Sequence, residues 1–329
     1  MNIIVKSLLC ASCVFAGALA ATHAGAQGYP TKPVRMLIGF TAGGPTDIIG
    51  RVVAQEMAQT LGQSVIVENK AGANSLIATQ EVKRASPDGY NIYMTTLAHN
   101  VNAILLHDQK PYDPLADFTP VSLVALLPLV MVTAYDGPYK NVQDLVNAAK
   151  AKPESISYAS AGNGGSAHLA AALVETQSGT KMIHIPFKGN APALTEVMTG
   201  RVSFMFYPMV GISQWVSEKK LRVLGVSTEK PHADYPGVPT MAANGFPGFE
   251  QYTQGLGIVG PAGLKPDVVA KLNQAIKASL AKPETQKKFT DLGAISTGGT
   301  TPEEFRQFLV KDAERWARVI KVAGVKAEN

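Results

Sequence analysis

The sequence predicts an α/β protein of two domains, each a mostly parallel sheet flanked by helices. Three observations carry this. Short apolar runs of strand length alternate with amphipathic helical stretches, the pattern of βαβ units. The chain left after removal of an N-terminal leader, about 303 of 329 residues, exceeds what one core ordinarily supports. Phe118 to Ala134 is an extended run too long for one strand and interrupted by Pro120 and Pro128, so it can leave one domain and enter the other.

The leader comes first. Lys6 gives a short basic start, and Leu8 to Ala21 is an apolar run too short to span a bilayer. Ala24-Gly25-Ala26 fits the small-residue cleavage rule, so residues 1–26 read as a signal peptide cut before Gln27. A lipoprotein reading of Leu9 to Cys13 is weak, because the apolar core before Cys13 would be very short. Both cysteines, Cys10 and Cys13, fall in the leader. The mature chain therefore offers no disulfide, no thiol nucleophile and no Cys-ligated zinc. The formal charge is +5, and +4 once Lys6 is removed. That mild excess suits a small anionic ligand, and with no Lys/Arg cluster it is no nucleic-acid footprint. No later segment is long enough to cross a membrane. The expected product is an exported, soluble, globular protein.

In the first domain, Val34 to Phe40 is an apolar run of strand character, followed by Thr41-Ala42-Gly43-Gly44-Pro45-Thr46-Asp47. Gly44 stands where a helix N-cap belongs, Pro45 at the first helical position and Asp47 at the third. Ile48, Ile49, Val52, Val53, Met57 and Leu61 recur at helical spacing up to Gly62, the expected stop. Such a turn leaves backbone N–H groups unpaired at the positive end of a helix, where an anion can satisfy them. A plain strand-to-helix turn accounts for the same residues, and this stretch alone favours it. Val65 to Asn69 is the second strand, Ala71 to Ser75 a turn, and Leu76 to Ala85 a helix. After the turn Ser86-Pro87-Asp88-Gly89, Asn91 to Thr96 is the third strand.

In the second domain, Asn141 to Ala151 is a helix with Asn141 as cap and Asp144 close to a capping box. The strand Ile156 to Ser160 leads into a second Gly-rich turn, Ser160 to Ser166, and a helix to about Ser178. Then come the strand Met182 to Pro186, the turn Phe187 to Asn190, the helix Ala191 to Thr199, and strands Val202–Phe206 and Val223–Ser227. Pro231 to Phe249 reads as connecting loop. Leu256 to Val259 is a strand that returns the chain to the first domain. Three helices follow, from Pro266, from near Pro283 and from Thr301, where Thr301-Pro302-Glu303-Glu304 is a capping box. The expected lobes are residues 27–127 with 252–329, and residues 128–251.

The second turn repeats the logic of the first and adds the hydroxyls of Ser160 and Ser166. Gly162, Gly164 and Ala167 satisfy G-x-G-x-x-A, a dinucleotide pattern. Against it, no Asp or Glu ends the following strand to hold a ribose hydroxyl, and nicotinamide cofactors are scarce outside the cell. No G-x-S-x-G occurs, so a nucleophile elbow has no support. His99, His107, His168, His184 and His232 show no metal-ligand spacing. His184 lies in an apolar strand and reads as a satisfied core histidine. Backbone donors and hydroxyls without acid/base pairs are the profile of a binder.

With both turns placed, the chain resembles the periplasmic solute-binding receptors of tripartite tricarboxylate transporters, the Bug receptors. The resemblance covers essentially the whole mature chain. It rests on Tyr29-Pro30-Thr31-Lys32-Pro33-Val34-Arg35, on Phe40 to Asp47, and on Leu61-Gly62-Gln63 leading to Val67-Glu68-Asn69. It continues through Pro87-Asp88-Gly89-Tyr90, Pro111-Tyr112-Asp113-Pro114, Phe118-Thr119-Pro120-Val121, Tyr158 to Gly162, Ser166 to Ala170 and His184 to Gly189. It implies a type II periplasmic binding protein: two α/β lobes joined by crossing strands, with the ligand cleft between them. It implies a small organic acid as ligand (a di- or tricarboxylate or an aromatic carboxylate), integral-membrane transporter subunits as partner, a periplasmic location and a monomer. It implies no cofactor, no metal and no catalysis. A sensor or orphan receptor without a cognate permease is the alternative.

In that family the two Gly-rich turns hold one ligand carboxylate. Carried onto this sequence, they are Thr41, Ala42, Gly43 and Gly44, with Ser160, Ala161, Gly162, Asn163, Gly164, Gly165 and Ser166. Phe40 is core or pocket wall, and the family favours the wall. Asp47 either caps its helix or faces the cleft, with capping favoured. His168, on the first turn of a helix, has a structural or binding role. His99 is at the cleft edge or on a surface loop. Two departures bear on the ligand. Asn74-Ser75-Leu76-Ile77-Ala78 stands where many members carry Gly-Gly-Asn-Ile-Gly, making that turn bulkier and stiffer. Tyr207-Pro208 stands where an Asp-Asn pair is usual, which removes a charge, adds a ring and suggests a less polar distal pocket.

Overall fold

The computed structural model describes residues 28–109 and 111–326; the leader assigned to residues 1–26 lies outside them. The first half runs β1 (Val34–Ile38), α1 (Pro45–Leu61), β2 (Val65–Asn69), α2 (Leu76–Lys83), β3 (Asn91–Thr95), α3 (Ala98–Leu105) and β4 (Phe118–Leu127). Next come β5 (Leu129–Ala134), α4 (Val142–Ala151), β6 (Ser157–Ser160), α5 (Ser166–Ser178), β7 (Ile183–Pro186), α6 (Asn190–Met198), β8 (Phe204–Pro208), α7 (Ser213–Ser217) and β9 (Leu221–Val226). The chain ends with β10 (Gln254–Pro261), α8 (Pro266–Leu280), α9 (Pro283–Asp291), β11 (Ile295–Ser296) and α10 (Pro302–Ala323).

Local chemistry explains many of these boundaries. Gly62 takes the left-handed conformation and closes α1 through an N–H bond to Ala58. Asn141 and Thr301 start α4 and α10 with complete capping boxes, each side chain accepting from the third helical N–H. Helix α3 was not expected. Its His99, Asn100 and Asn102 are buried and engaged by distant groups, so its polar letters hide a buried helix.

The strands form two sheets, in the orders β11-β4-β10-β3-β1-β2 and β7-β6-β8-β5-β9. Phe118 to Ala134 is two strands, not one, and they lie in different sheets with Pro128 between them. The chain returns through β10, which pairs antiparallel with β4 along its whole length, from Gln254 opposite Leu127 to Pro261 opposite Phe118. These two strands are the connection between the sheets.

The expectation of mostly parallel sheets is corrected. β1 runs parallel to β2 and β3, and β6 parallel to β7 and β8, but β4, β10 and β11 pair antiparallel in one sheet and β5 with β8 and β9 in the other. Part of the cause is the crossing itself: β4 carries the chain out of the first sheet towards the second and β10 carries it back, so the two run in opposite directions side by side.

α10 belongs to both cores. Phe305 and Leu309 pack with Leu37, Tyr93 and Phe118. Two turns further on, Trp316, Val319 and Ile320 pack with Leu129, Phe204 and Phe206. Asn100 Nδ2 donates to the Asp312 carboxylate at 3.1 Å, tying α3 to the middle of this helix.

Candidate functional site

Two helix starts share a construction found at neither α4 nor α10. α1 and α5 are N-capped by Gly44 and Gly165, both extended and neither supplying a side-chain bond to the first turn. By helix geometry the N–H groups of Thr46 and Asp47, and of Ser166, Ala167 and His168, have no intrahelical acceptor. Each turn is held from behind. The Asp47 carboxylate accepts from Gly43 N–H at 2.9 Å, from Arg51 Nε at 3.0 Å and from Asn69 Nδ2 at 2.9 Å. Burial pushes its pKa up, but the bonds from Arg51, Gly43 and Asn69 outweigh this and hold it below the usual carboxylate range. Its side chain is 4% exposed, so its acceptor capacity is turned to the turn and to Arg51.

The second turn is held by histidines. Gly164 N–H donates to His168 Nδ1 at 3.1 Å, and Ser160 Oγ lies 2.6 Å from His184 Nε2. The two imidazoles stack at 4.0 Å, with Tyr158 stacked against His184 at 5.1 Å. Burial, and secondarily His184, lowers the His168 pKa to about 3. It is neutral at ordinary pH, as an acceptor at Nδ1 must be. The Ser160 hydroxyl is thus engaged with His184 and with Gly162 of its own turn. His184 is half-buried on an edge strand rather than in a core.

The structure brings the loops of the two sheets together. Ala161 shares an apolar cluster with Phe40, which is 9% exposed and packs as core. A side chain at Gly189 would overlap Thr41 Oγ1, so the turn after β7 lies directly on the first Gly-rich turn. Gly164, at φ +74°, leaves no room either: a Cβ there would sit 2.6 Å from Leu105 Cδ1 and 2.9 Å from Val101 Cγ1.

Beside these contacts is a cavity of about 440 Å³, within the range of small-molecule sites. Asn74 lines it from the turn before α2, Leu76 from the start of α2, Leu105 and Leu106 from the end of α3, Gly162 and Asn163 from the second Gly-rich turn, and Phe187 and Lys188 from the turn after β7. Lys188 is the one formally charged residue among the described residues that line it. A larger groove, about 840 Å³, lies along the outside of α8, remote from both turns. Among the described residues no group of three or more His, Cys, Asp or Glu could hold a metal ion, and no helix is long and apolar enough to cross a membrane.

Several expected site residues stand elsewhere. Tyr207 is buried among Val130, Val132 and Met205 and does not line this cavity; the cavity's apolar side comes from Leu76, Leu105, Leu106 and Phe187. His99 is neither at a cleft edge nor on a surface loop. It is fully buried, with Nε2 2.9 Å from the Pro114 carbonyl and its ring against Tyr112 and Phe118. Burial lowers its pKa to about 4. The sequence does not single out Asn102, Leu105 and Leu106, because it does not show the helix that carries them. Asn74 stands out in it only as a departure from a Gly-rich pattern.

The family model described as "Tripartite tricarboxylate transporter family receptor" matches residues 49–325. The chain belongs to the tripartite tricarboxylate transporter receptor family. It is 34% identical over 293 residues to the "UPF0065 protein in tcbD-tcbE intergenic region" of Pseudomonas sp. (strain P51), covering 89% of this chain and 86% of that one. It is 31% identical to Protein BugT of Bordetella pertussis, covering 92% of each. The solved structure of the periplasmic binding protein BugD superposes with TM-score 0.86 at 34% identity, covering 91% of this chain and 100% of that one. R. palustris Rpa4515 with adipate gives 0.85 at 29%, covering 91% and 99%. MatC from Rhodopseudomonas palustris with bound malate gives 0.83 at 29%, covering 89% and 100%. The receptor therefore has the two-lobed periplasmic binding fold, with β4 and β10 as its crossing strands.

Proposed function

We propose that the receptor is an extracytoplasmic solute-binding protein that takes a small organic acid and presents it to integral-membrane subunits of a tripartite tricarboxylate-type transporter. It works in the periplasm, without a cofactor and without catalysis. The single observation that carries this is the pair of glycine-capped helix starts, α1 and α5, one beside each sheet, with Phe40 and Ala161 of their turns in one apolar cluster and Gly189 lying on Thr41. Two sets of N–H groups at positive helix ends suit a carboxylate, and each charge-assisted bond is worth about 1.5–3 kcal/mol. Relatives solved with adipate and malate support the same ligand class. The lobes are residues 27–127 with 252–329, and residues 128–251, with the end of α10 docked across onto the second. In the mechanism, turn contacts from both lobes exist together only when the cleft is shut, so the ligand favours the closed state by its differential contacts. Asp47 acts as a brace behind the first turn and leaves the ligand to the backbone.

Thermal melting against a panel of aliphatic and aromatic mono-, di- and tricarboxylates tests this. An acid at a hundred times its Kd adds about 2.7 kcal/mol and raises the midpoint. The increase should shrink in Ser160→Ala, which unties the second turn. No increase with any acid would contradict the reading.

A further inference from the structure

The cavity carries a hydrogen-bonding signature that a carboxylate alone does not meet. Ala73, Asn74 and Ser75 are three consecutive non-glycine residues at positive φ, 46°, 47° and 73°. Side chains there are uncommon and strained, and such strain concentrates where a ligand is gripped. Asn74 is 6% exposed. Its neighbours fix which way its amide points. Asn102 Nδ2 donates to the Asn74 backbone carbonyl at 2.8 Å, which can only accept. Asn102 Oδ1 therefore faces the other way and receives Asn74 Nδ2 at 3.2 Å. What remains is Asn74 Oδ1, a buried acceptor with no donor among the described residues. Asn163, in the second Gly-rich turn, repeats the arrangement. Its Nδ2 donates to the Lys326 carbonyl at 3.2 Å, and its Oδ1 is buried without a donor among the described residues. One orphan acceptor thus comes from each lobe, and both residues line the same space. Leaving buried acceptors unpaired is costly, so a ligand that supplies donors gains by pairing them.

We infer that the receptor selects carboxylates bearing a neutral hydroxyl next to the carboxylate and an otherwise apolar body, with Asn74 Oδ1 accepting from that hydroxyl. This rests on the carboxylate reading above and adds its substrate class. The place of the hydroxyl follows from Asn74 Oδ1 lying 3.6 Å from the position a Cβ on Gly165 would take, beside the N-cap of α5 to which the reading above assigns the carboxylate. An ammonium in that place is disfavoured: among the described residues no acidic one lines the cavity, and Asp47 is engaged with Arg51. The apolar body follows from Leu76, Leu105, Leu106 and Phe187. The hydroxyl-reading atom is a feature of this chain's own Asn-Ser-Leu sequence in that turn.

Isothermal titration of the mature receptor with matched acids tests it: mandelate against phenylacetate, and 2-hydroxy-4-methylpentanoate against 4-methylpentanoate and leucine. In the wild type each hydroxy acid should bind about tenfold tighter than its parent, and leucine no tighter than the parent. Asn74→Gly removes the acceptor and is compatible with the positive φ. In it the hydroxy-to-parent ratio should fall to near one, whatever the change in the parent acids' own affinity. Equal affinity of hydroxy and parent acids in the wild type would overturn the inference and leave the carboxylate reading intact. An unchanged ratio in Asn74→Gly would overturn the role of Asn74, and binding of neither kind of acid would overturn both readings.

Discussion

His168 shows how a residue can serve a binding turn without touching what is bound. Its Nδ1 must stay unprotonated to accept from Gly164 N–H, and burial against His184 holds it so. That has a cost in acid. In the unfolded chain a histidine titrates near 6.5, whereas His168 and His99 in the fold titrate at about 3 and about 4. Between those limits the unfolded state binds more protons, so stability is complete above about pH 6.5 and falls as pH drops towards 4. Each such histidine contributes a slope of at most about 1.4 kcal/mol per pH unit. His168→Asn keeps an acceptor oxygen and removes the titration. Its denaturation midpoint should therefore fall less steeply than the wild type's between pH 6.5 and 4, and parallel curves would contradict the assignment. Asp47 acts in the same direction but lower, its stabilisation fading as pH falls below the ordinary carboxylate range.

Among the elements, α10 carries the most unusual duty, because it packs on the cores of both sheets with side chains from one face. Trp316 is fully buried against Tyr252, with Nε1 donating to Asp312 at 3.0 Å. Trp316→Ala should lower unfolding free energy by about 3–5 kcal/mol in urea titrations, the usual range for a large buried aromatic; a loss under 1 kcal/mol would mean that the helix end is not docked. The sequence made most elements legible wherever local chemistry sets their ends. The capping boxes at Asn141 and Thr301, the Gly62 stop and the strand Val65–Asn69 are such cases, and they stand where expected. It was silent where distant partners decide. α3 reads as polar because the groups that bury Asn100 and Asn102 are Leu309, Asp312 and Asn74, far away in the chain. Strand direction was hidden for the same reason, since β10 finds β4 across more than a hundred residues. The two Gly-rich turns were visible as helix starts. Which of their groups face inward was not, because Ser160 and Asp47 are claimed by His184 and by Arg51 and Asn69.

At the scale of the whole molecule, the two sheets meet through loops and are joined by two adjacent strands. A cleft between lobes so connected can open by small backbone changes near Pro128 and Thr253, the ends of the crossing strands. Amide ¹H–¹⁵N spectra of the receptor during titration with a carboxylate show whether that ligand bridges the α1 and α5 starts across the cleft. Thr46 and Asp47 should shift together with Ser166, Ala167 and His168, with a common midpoint. Shifts confined to one lobe, or to the groove along α8, would contradict it.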